Sequence, residues 1–545
     1  MRVFPMKDER NQSKHSLAKG LRGGFFLRKN PLGFMFPGKS YSGFAVGQAR
    51  TRLVCGGAAL ASAALIAGCG STYRPVVTPI NPSGPPPQAG SYAVVVSAPS
   101  PTTPGIATVI NYSGDSVLAI APIGPGPTTF TLDALGGNGY TINSDHTLSN
   151  FPVSATLQAK QVLYTTLPST AKPVNIFTPT AGLWAADLDG NVADVFGGFP
   201  QAFRLSIPVA PSPTMIIGPS SVGQRDFAIS QNIATPDTSV NAGLECNLSP
   251  TTQPTGTVDS LEVASFTVSA SIPVGKCPVY AVESPDTKRF FVLNRGDDTI
   301  TVINSQDNTL NSCVPFMNQA GQTVYCHPTL PLSLSAVTAT GVTPPNGTTG
   351  MTQTAGPVYA EYNQALAQLV VADYDGGTIS VIDVSEDEYG NDSSTFGTTY
   401  TIPVGNNPAS VTVLFDGTRA YTANQTDQTV SIVTLSSHTV EKTLPITGHP
   451  RTVVSTENSQ YGKVYVASPD SPYLTILRTD LDLVDTTVLV EGNVVDVRVT
   501  TANGSQGNVN AVSRVPGYGQ PCNLPPALTT DAQLLANPGL CATLP

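Results

Sequence analysis

The chain has 545 residues and a formal net charge of −10, with 27 Lys and Arg against 37 Asp and Glu. Charged residues make up only 12% of the sequence, about half the usual share, and no basic cluster follows Arg74. This balance excludes a nucleic-acid-binding surface, which needs clustered Lys and Arg. Gly, Pro, Thr, Ser and Val are frequent while helix-forming charged residues are scarce, a composition that predicts an all-β protein.

The first predicted element is a signal peptide within residues 1–68. An apolar run over residues 53–67 is too short for a confident membrane span, which needs about 20 residues, but fits the h-region of a signal peptide. Arg50 and Arg52 precede it, and the leader holds eleven basic residues against two acidic ones. The segment before the run is unusually long, so initiation at Met35 instead of Met1 is a second possibility.

The run ends in Ile66-Ala67-Gly68-Cys69. This stretch resembles the lipobox of bacterial lipoproteins, in which an aliphatic residue and two small residues precede a cysteine. The resemblance implies cleavage between Gly68 and Cys69 and a diacylglycerol on the thiol of Cys69. An ordinary signal peptide followed by an incidental cysteine is the alternative interpretation.

Residues 69–90 are rich in Pro, Gly and Ser and have no apolar period, so they predict a flexible tether. A lipid on one cysteine holds a protein at a membrane without spanning it. We therefore expect an exported, membrane-anchored protein of the cell envelope, at the outer membrane, in the periplasm or on the cell surface.

The body of the chain, which we predict to span residues 91–515, carries a repeated hairpin. It reads "RFFVLNRGDDTITVIN" from residue 289, "QLVVADYDGGTISVID" from 368, "RAYTANQTDQTVSIVT" from 419 and "KVYVASPDSPYLTILR" from 463. Each copy has two β-branched strands with a period of two, joined by a polar turn rich in Asn, Asp and Gly. The pattern predicts antiparallel hairpins repeated along the chain.

A Pro-containing segment precedes three of these hairpins: "SIPVGKCP" from residue 271, "TIPVGNNP" from 401 and "TLPITGHP" from 443. From Pro403 to Pro445 the spacing is 42 residues, and a period near 40 with several short strands is typical of a β-propeller. We predict a single propeller with four antiparallel strands in each blade, seven blades by count and eight as the alternative, and an insertion near residues 311–350.

The hairpins also resemble those of YVTN-repeat propellers, which belong to the lactonase-like superfamily. The matching stretches are "AYTAN" from residue 420, "VYVAS" from 464, "DTITVIN" from 298 and "GTISVID" from 377. Family members are often extracytoplasmic and commonly lack a known activity. Three more divergent stretches, "DSVLAIAPIG" from 115, "KQVLYTTLPS" from 160 and "GLWAADLDGN" from 182, are expected to be inner strands.

A propeller must join its first and last blades. The stretch "SYAVVVSAP" at residues 91–99 is predicted to pair with strands near the C-terminal end and so close the ring. Residues 516–545 are predicted to form a C-terminal extension, with a disulfide as a further possibility.

Six cysteines follow Cys69, an even number that suggests disulfides in an exported chain. Proximity favours three short-range pairs, although fifteen connectivities are possible and free buried thiols are the alternative. The favoured pairs are Cys246–Cys277, Cys313–Cys326 and Cys522–Cys541.

No sequence motif identifies a catalytic or metal site. The stretches "ADLDGN" at 186–191 and "ADYDGG" at 372–377 have the Asp spacing of calcium loops, but tight turns explain them better. His449 is expected to be a solvated loop residue, and Trp184 a core residue. We therefore predict no catalytic residue, metal or cofactor.

The function expected from these features is a non-catalytic binding or scaffold module of the cell envelope. Its partners would be the membrane, through the lipid on Cys69, and a protein or other envelope ligand, with the chain itself monomeric. A lactonase-like or quinoprotein-like enzyme with a site in the central channel is one alternative. A surface adhesion or recognition protein is the other.

Overall fold

The computed structural model describes residues 92–133, 136–178, 182–198, 201–218, 225–234, 252–318, 321–332, 354–456, 459–460 and 462–500. Within these residues lie thirty-five strands and one short 3₁₀ helix, Ala159–Gln161. The strands form eight antiparallel sheets, each a blade of a β-propeller, and one small two-stranded hairpin. The predicted all-β propeller is confirmed. It has eight blades, the alternative count, rather than seven.

In each blade the strands follow one another from an inner strand at the ring axis to an outer strand. Blade 1 is β35 (Asn493–Val499), β1 (Tyr92–Ala98), β2 (Pro104–Asn111) and β3 (Val117–Pro125). Blade 2 is β4 (Pro127–Leu132), β5 (Asn138–Asn143), β6 (Thr147–Pro152) and β7 (Leu163–Thr166). Blade 3 is β8 (Pro173–Phe177), β9 (Leu183–Asp187), β10 (Val192–Gly197) and β11 (Ala202–Pro208). Blade 4 is β12 (Pro213–Ile217), β13 (Arg225–Ser230), β14 (Thr255–Glu262) and β15 (Thr267–Lys276).

The remaining blades follow the same order. Blade 5 is β16 (Pro278–Glu283), β17 (Arg289–Asn294), β18 (Thr299–Asn304) and an outer edge made of β19 (Thr309–Leu310) and β22 (Thr329–Pro331). Blade 6 is β23 (Pro357–Asn363), β24 (Gln368–Asp373), β25 (Thr378–Asp383) and β26 (Thr399–Pro403). Blade 7 is β27 (Pro408–Val413), β28 (Arg419–Asn424), β29 (Thr429–Thr434) and β30 (Thr439–Pro445). Blade 8 is β31 (Thr452–Ser455), β32 (Lys463–Ala467), β33 (Tyr473–Arg478) and β34 (Leu483–Leu489).

The ring is closed in blade 1, as predicted. Strand β1 pairs with β2 on one side and with the C-terminal strand β35 on the other. The backbone N–H of Thr500 donates to the carbonyl of Tyr92 at 2.9 Å, and the N–H of Tyr92 donates to the hydroxyl of Thr500 at 2.7 Å. Two strands from opposite ends of the propeller sequence therefore share one sheet.

The inner three strands of each blade are largely buried because neighbouring blades cover both of their faces. Trp184 on β9 is fully buried, which confirms its predicted place in the core. The three stretches expected to be inner strands are not inner. They form β3, β7 and β9, which are two outermost strands and one second strand. Apolar residues alone did not distinguish them, because outer strands of this propeller also carry exposed Val, Leu and Tyr.

The predicted insertion interrupts the outer edge of blade 5. Strand β19 pairs with one end of β18, the chain then leaves the sheet, and β22 returns to pair with the other end of β18. The excursion contains the hairpin of β20 (Phe316–Met317) and β21 (Thr323–Val324). A Cys313–Cys326 disulfide closes it, as predicted.

Cys277 also forms a disulfide, and its partner is outside the described residues because Cys313 and Cys326 pair with each other. Its pairing with Cys246 stays a prediction. Cys246, Cys522, Cys541, Gly68 and Cys69 all lie outside the described residues. No helix among the residues that the structure describes has the length and hydrophobicity to cross a bilayer.

A buried carboxylate fastens the insertion to blade 6. Asp392, in the loop between β25 and β26, has a fully buried side chain. It pairs with Arg289 of blade 5 at 3.2 Å and accepts hydrogen bonds from the Asn311 side chain at 2.8 Å and the His327 backbone N–H at 2.9 Å. The His327 ring contacts the same carboxylate at 3.0 Å and stacks on Phe396. One side chain thus joins two blades and the base of the disulfide-closed hairpin.

The repeated hairpins share a polar contact that explains their sequence pattern. Asn424, the last residue of β28, donates from Nδ2 to the hydroxyls of Thr429 and Ser431 on β29, at 3.0 and 2.8 Å. Asn294 makes the same two contacts in blade 5, and Asn143 does so in blade 2. Gly405 lies against the Asn424 amide: a Cβ there would stand 2.7 Å from it, so the glycine of "IPVG" is required for close approach.

Asp373 occupies this position in blade 6. Its Oδ2 accepts from the Ser380 hydroxyl at 2.7 Å and the Thr378 hydroxyl at 3.0 Å. The side chain is fully buried, and desolvation raises the pKa of Asp373 to about 7. Near neutral pH the residue is thus poised between a charged and a neutral form, whereas blades 2, 5 and 7 hold a neutral asparagine at this position.

Asp373→Asn is expected to flatten the pH dependence of stability. The pKa is raised from 3.8 to about 7 on folding, so the folded state binds more protons, and the wild-type free energy of unfolding falls as pH rises between these values. The loss is at most on the order of 4 kcal/mol, at about 1.36 kcal/mol per pKa unit. Urea unfolding at about pH 4.5 and about pH 7.5 measures the change in the free energy of unfolding over most of this pH range. Asp307→Asn, a substitution at an exposed position, is the control. Equal pH dependence in wild type and Asp373→Asn would contradict the assignment.

Candidate functional site

The inner strands follow a common rule that defines the central channel. In blades 2 to 7 each inner strand begins with proline, and the residue after the proline forms a β-bulge. The second residue after the proline then resumes the pairing and lines a cavity of about 260 Å³. Residues of all eight inner strands contribute to this cavity, so it lies at the axis of the ring.

The side chains at this level form one ring around the axis. They are polar on most blades and aromatic on blades 5 and 6. In blade order from 1 to 8 they are Asp496, Thr129, Asn175, Met215, Tyr280, Tyr359, Ser410 and Thr452.

The two tyrosines of the ring form a stacked pair. The ring centroids of Tyr280 and Tyr359 are 4.6 Å apart with 29° between their planes. Both side chains are buried, and desolvation raises the pKa of each phenol well above its ordinary value. They are therefore neutral at any physiological pH and give the cavity an aromatic wall.

Asp496 is the carboxylate that lines the cavity, and it is already paired. Its oxygens contact the guanidinium of Arg498, with 2.6 Å between Arg498 Nη1 and Oδ1. Arg498 is fully buried and also donates to the carbonyl of Phe130, 3.4 Å away. This pair contributes no net charge to the channel.

Turns after the second strands of blades 5 to 7 form one rim of the cavity. The Arg295 guanidinium donates to both oxygens of Asp375 and lies 5.2 Å from the centre of the Tyr374 ring. The Tyr374 hydroxyl donates to Gln425 Oε1 at 3.2 Å. Arg295, Tyr374 and Gln425 all line the cavity, and this bonded series holds their positions along the rim.

Arg451 differs from its counterparts in the other blades. The pairing register places it level with Ala409, because Thr452 pairs with Ala467 as Ser410 pairs with Ala423. At this position the other inner strands carry Thr, Val or Ala, namely Thr128, Val174, Thr214, Val279, Val358, Ala409 and Val495. Among the residues that the structure describes, none forms an ion pair or hydrogen bond with the Arg451 side chain, which lines the cavity.

His449 lies in the loop that leads to Arg451. Its Nδ1 is 2.6 Å from Asp470 Oδ2, its Nε2 is 3.1 Å from Gln428 Nε2, and its side chain is about half exposed. The predicted solvated loop position is correct. The hydrogen bonds from His449 hold the pKa of Asp470 below its usual value, although partial burial opposes them.

The two calcium-like stretches form strand ends and turns. In the first, Asp187 accepts hydrogen bonds from the N–H groups of Lys172 and Gly190. In the second, Asp373 bonds to hydroxyls of its own blade and Asp375 pairs with Arg295. Within the described part of the chain, no three His, Cys, Asp or Glu side chains are grouped so that they could hold a metal ion.

Sequence reasoning did not identify the channel residues. The usable signal was the proline that precedes the channel residues in blades 2 to 8, since the two residues after it line the cavity. When the blades are aligned on that proline, Arg451 is the one charged residue at a position where the other blades have small or apolar residues.

No protein-family model matches the chain, and no curated protein matches its sequence. Among solved structures, apo AztD from Citrobacter koseri is similar with a TM-score of 0.50 and 11% identity, over 77% of this chain and 99% of that one. Dihydro-heme d1 dehydrogenase NirN in complex with DHE has a TM-score of 0.49 and 11% identity, over 79% of this chain and 77% of that one. Hydrazine synthase of Kuenenia stuttgartiensis has a TM-score of 0.37 and 12% identity, over 68% of this chain and 97% of that one. Similarity at these identities concerns the fold alone.

Proposed function

We propose that this chain is a non-catalytic binding protein of the cell envelope, whose propeller holds a small ligand in the mouth of its central channel. The observation that carries the proposal is Arg451, a cation without a partner among the described residues, in a cavity that all eight inner strands enclose. Concave sites with an apolar wall and a few placed polar groups are typical of small-molecule binding.

The chemistry of the lining favours binding over turnover. Among the described residues that line the cavity there is no His, Cys, Lys or Glu. The Ser410 hydroxyl donates to the Arg451 carbonyl at 2.8 Å, and Asp496 is held by Arg498. A nucleophile needs an adjacent base, and a general base needs a free basic atom directed at the substrate. The lining therefore offers recognition groups rather than a catalytic set.

A ligand screen with a blocked channel tests this function. Thermal-shift screening of small metabolites of varied charge is expected to yield ligands that stabilise the protein, since binding to the folded state raises its melting temperature. Ala409→Trp, which fills the channel mouth, is expected to remove those shifts while keeping a cooperative melt. Failure of every metabolite to bind, or equal binding by Ala409→Trp, would reject the channel as a binding site.

The predicted lipid on Cys69 supplies the location in this proposal. An acylated Cys69 followed by the Pro-rich residues 70–90 would hold a monomeric propeller at the membrane surface, in the periplasm or at the outer membrane. The intact mass of the membrane fraction tests it, with wild type beside Cys69→Ala. We expect a diacylglyceryl N-terminus at Cys69 in the wild type alone. An unmodified wild-type chain in the soluble fraction would remove the anchor from the proposal.

A lactonase-like enzyme is the second candidate, and the His449–Asp470 pair near the channel mouth is the observation that favours it. Asp470 orients the imidazole, as a general base requires. Hydrolysis of a lactone by the wild type but not by His449→Ala would establish this alternative over the non-catalytic one.

A further inference from the structure

We propose that the channel mouth selects a small monocarboxylate with an apolar body, and that Arg451 binds the carboxylate. This inference rests on the proposed function, because it names the ligand class of the same cavity. Three properties of the cavity support it: its charge balance, the unused donors at its rim and the character of its wall.

The charge balance leaves one positive charge in the cavity. Arg295 is neutralised by Asp375 at 2.9 Å, and Asp496 is neutralised by Arg498. The remaining charged side chain of the lining is Arg451, which has no carboxylate partner among the described residues. The whole chain carries a net charge of −10, so this cation stands out in an acidic protein. A single anionic group on a ligand would complete the balance.

The residue type at position 451 fits a carboxylate. A guanidinium presents paired N–H donors that match the two oxygens of a carboxylate, and such charge-assisted bonds are stronger than neutral ones. The equivalent positions of the other blades carry short Thr, Val or Ala side chains, so nothing in the propeller architecture requires an arginine at this point. Ala409 at the matching position of blade 7 shows that a methyl group suffices for the strand.

Two further donors reach the cavity from the same lining. The Tyr374 hydroxyl donates to Oε1 of Gln425, so the Nε2 group of this amide is left to donate to another acceptor. The backbone N–H of Ile216 donates to Oδ1 of Asn175 at 3.0 Å, so the Nδ2 group of Asn175 is likewise left to donate to another acceptor. Both amides are neutral donors. One guanidinium with neutral amides suits a monoanion, whereas a phosphate dianion would leave excess negative charge close to Asp496.

Most of the apolar and aromatic residues of the lining lie on blades 4 to 6, while five Thr and Ser side chains also line the cavity, namely Thr128, Thr129, Thr214, Ser410 and Thr452. The stacked Tyr280 and Tyr359 rings form one wall, together with Met215, Val279 and Val358. Because both phenols stay neutral, this wall adds no competing charge. The body of the ligand is therefore expected to be apolar or aromatic, with its carboxylate directed to Arg451.

Titration calorimetry with phenylacetate tests the inference, with phenylacetamide as the uncharged counterpart and phenyl phosphate as the alternative anion. We expect wild type to bind phenylacetate more tightly than either. Arg451→Gln is expected to weaken phenylacetate binding by roughly tenfold or more, the equivalent of one charge-assisted pair. Arg204→Gln, which removes an exposed arginine on the outer strand β11, is the matched control and should bind as wild type does.

The outcomes separate this inference from the proposed function. Equal affinity of Arg451→Gln and wild type for phenylacetate, or equal affinity of wild type for phenylacetate and phenylacetamide, overturns the carboxylate assignment. So does a metabolite screen whose channel ligands are all neutral or cationic, although channel binding then stands. Tighter binding of phenyl phosphate than phenylacetate replaces the ligand class with a phosphate. Failure of every metabolite, including phenylacetate, to bind the wild type, or equal binding by wild type and Ala409→Trp, rejects both proposals together.

Discussion

Deleting residues 91–99 is expected to abolish the cooperative thermal unfolding transition of the propeller. Strand β1 lies between β2 and β35, and without it the C-terminal strand has no partner in blade 1. Four consecutive side chains of β1, Ala93 to Val96, are fully buried between neighbouring blades. Their loss exposes two sheet edges and the apolar faces of the adjoining blades. Circular dichroism melting of the deletion variant beside the wild type measures the effect.

A point substitution in the same blade makes the test sharper. Val95→Asp places a carboxylate at a fully buried position of β1, and we expect a loss of about 4 kcal/mol or more in the free energy of unfolding. Val117→Asp on the outer strand β3 introduces the same charge at a position that is 39% exposed, and is expected to change stability by about 0.5 kcal/mol at most. An unchanged melt of the deletion or of Val95→Asp would show that the ring does not depend on this strand.

Asp392→Ala is expected to lower the free energy of unfolding by about 3–5 kcal/mol, the usual cost of removing one partner of a buried ion pair. The substitution leaves the mostly buried Arg289 without its nearest carboxylate and removes the acceptor of Asn311 and of the His327 N–H. Glu386, at 3.9 Å from Arg289, is too distant to replace it fully. Urea unfolding monitored by tyrosine fluorescence provides the measurement.

The matched control is Asp189→Ala, which removes the partner of Lys172 in a solvent-exposed pair. Exposed pairs contribute between about 0 and 1 kcal/mol, so this variant should remain close to wild type. Limited proteolysis reports on the insertion separately, and Asp392→Ala is expected to be cut faster between residues 313 and 326. If both variants unfold at the same urea concentration, Asp392 does not fasten the blades.

Much of the fold could be predicted because each blade repeats the same local chemistry. The hairpins at residues 289, 368, 419 and 463 form strand pairs at the predicted places. Asn and Asp at the end of the second strand bond to hydroxyls on the third, so the sequence pattern has a direct structural cause. Residues 92–270 were harder to interpret, since their blades carry fewer of these contacts and their outer strands are as apolar as inner ones.

The candidate site could not be predicted from the sequence, and the reason is different. The cavity is built from one to three residues of each of eight strands, which are far apart in sequence and carry no motif of their own. Arg451 becomes notable only when the register aligns it with Ala409 and its counterparts. His449 and the Asp-Gly turns are local patterns that can be recognised in the sequence, but they predict a solvated loop residue and tight turns, and neither one indicates the channel. Unpaired charge is a property of the assembled ring.

The pairing of Tyr92 with Thr500 makes the propeller a natural candidate for circular permutation. The first and last described residues are hydrogen-bonded neighbours, so a short peptide could join them without crossing the ring. New ends could then open at an exposed turn such as Ser436–Ser437, between β29 and β30. A chain reordered in this way would keep every blade-to-blade contact. The order of blades along the gene is therefore separable from the order of blades around the axis.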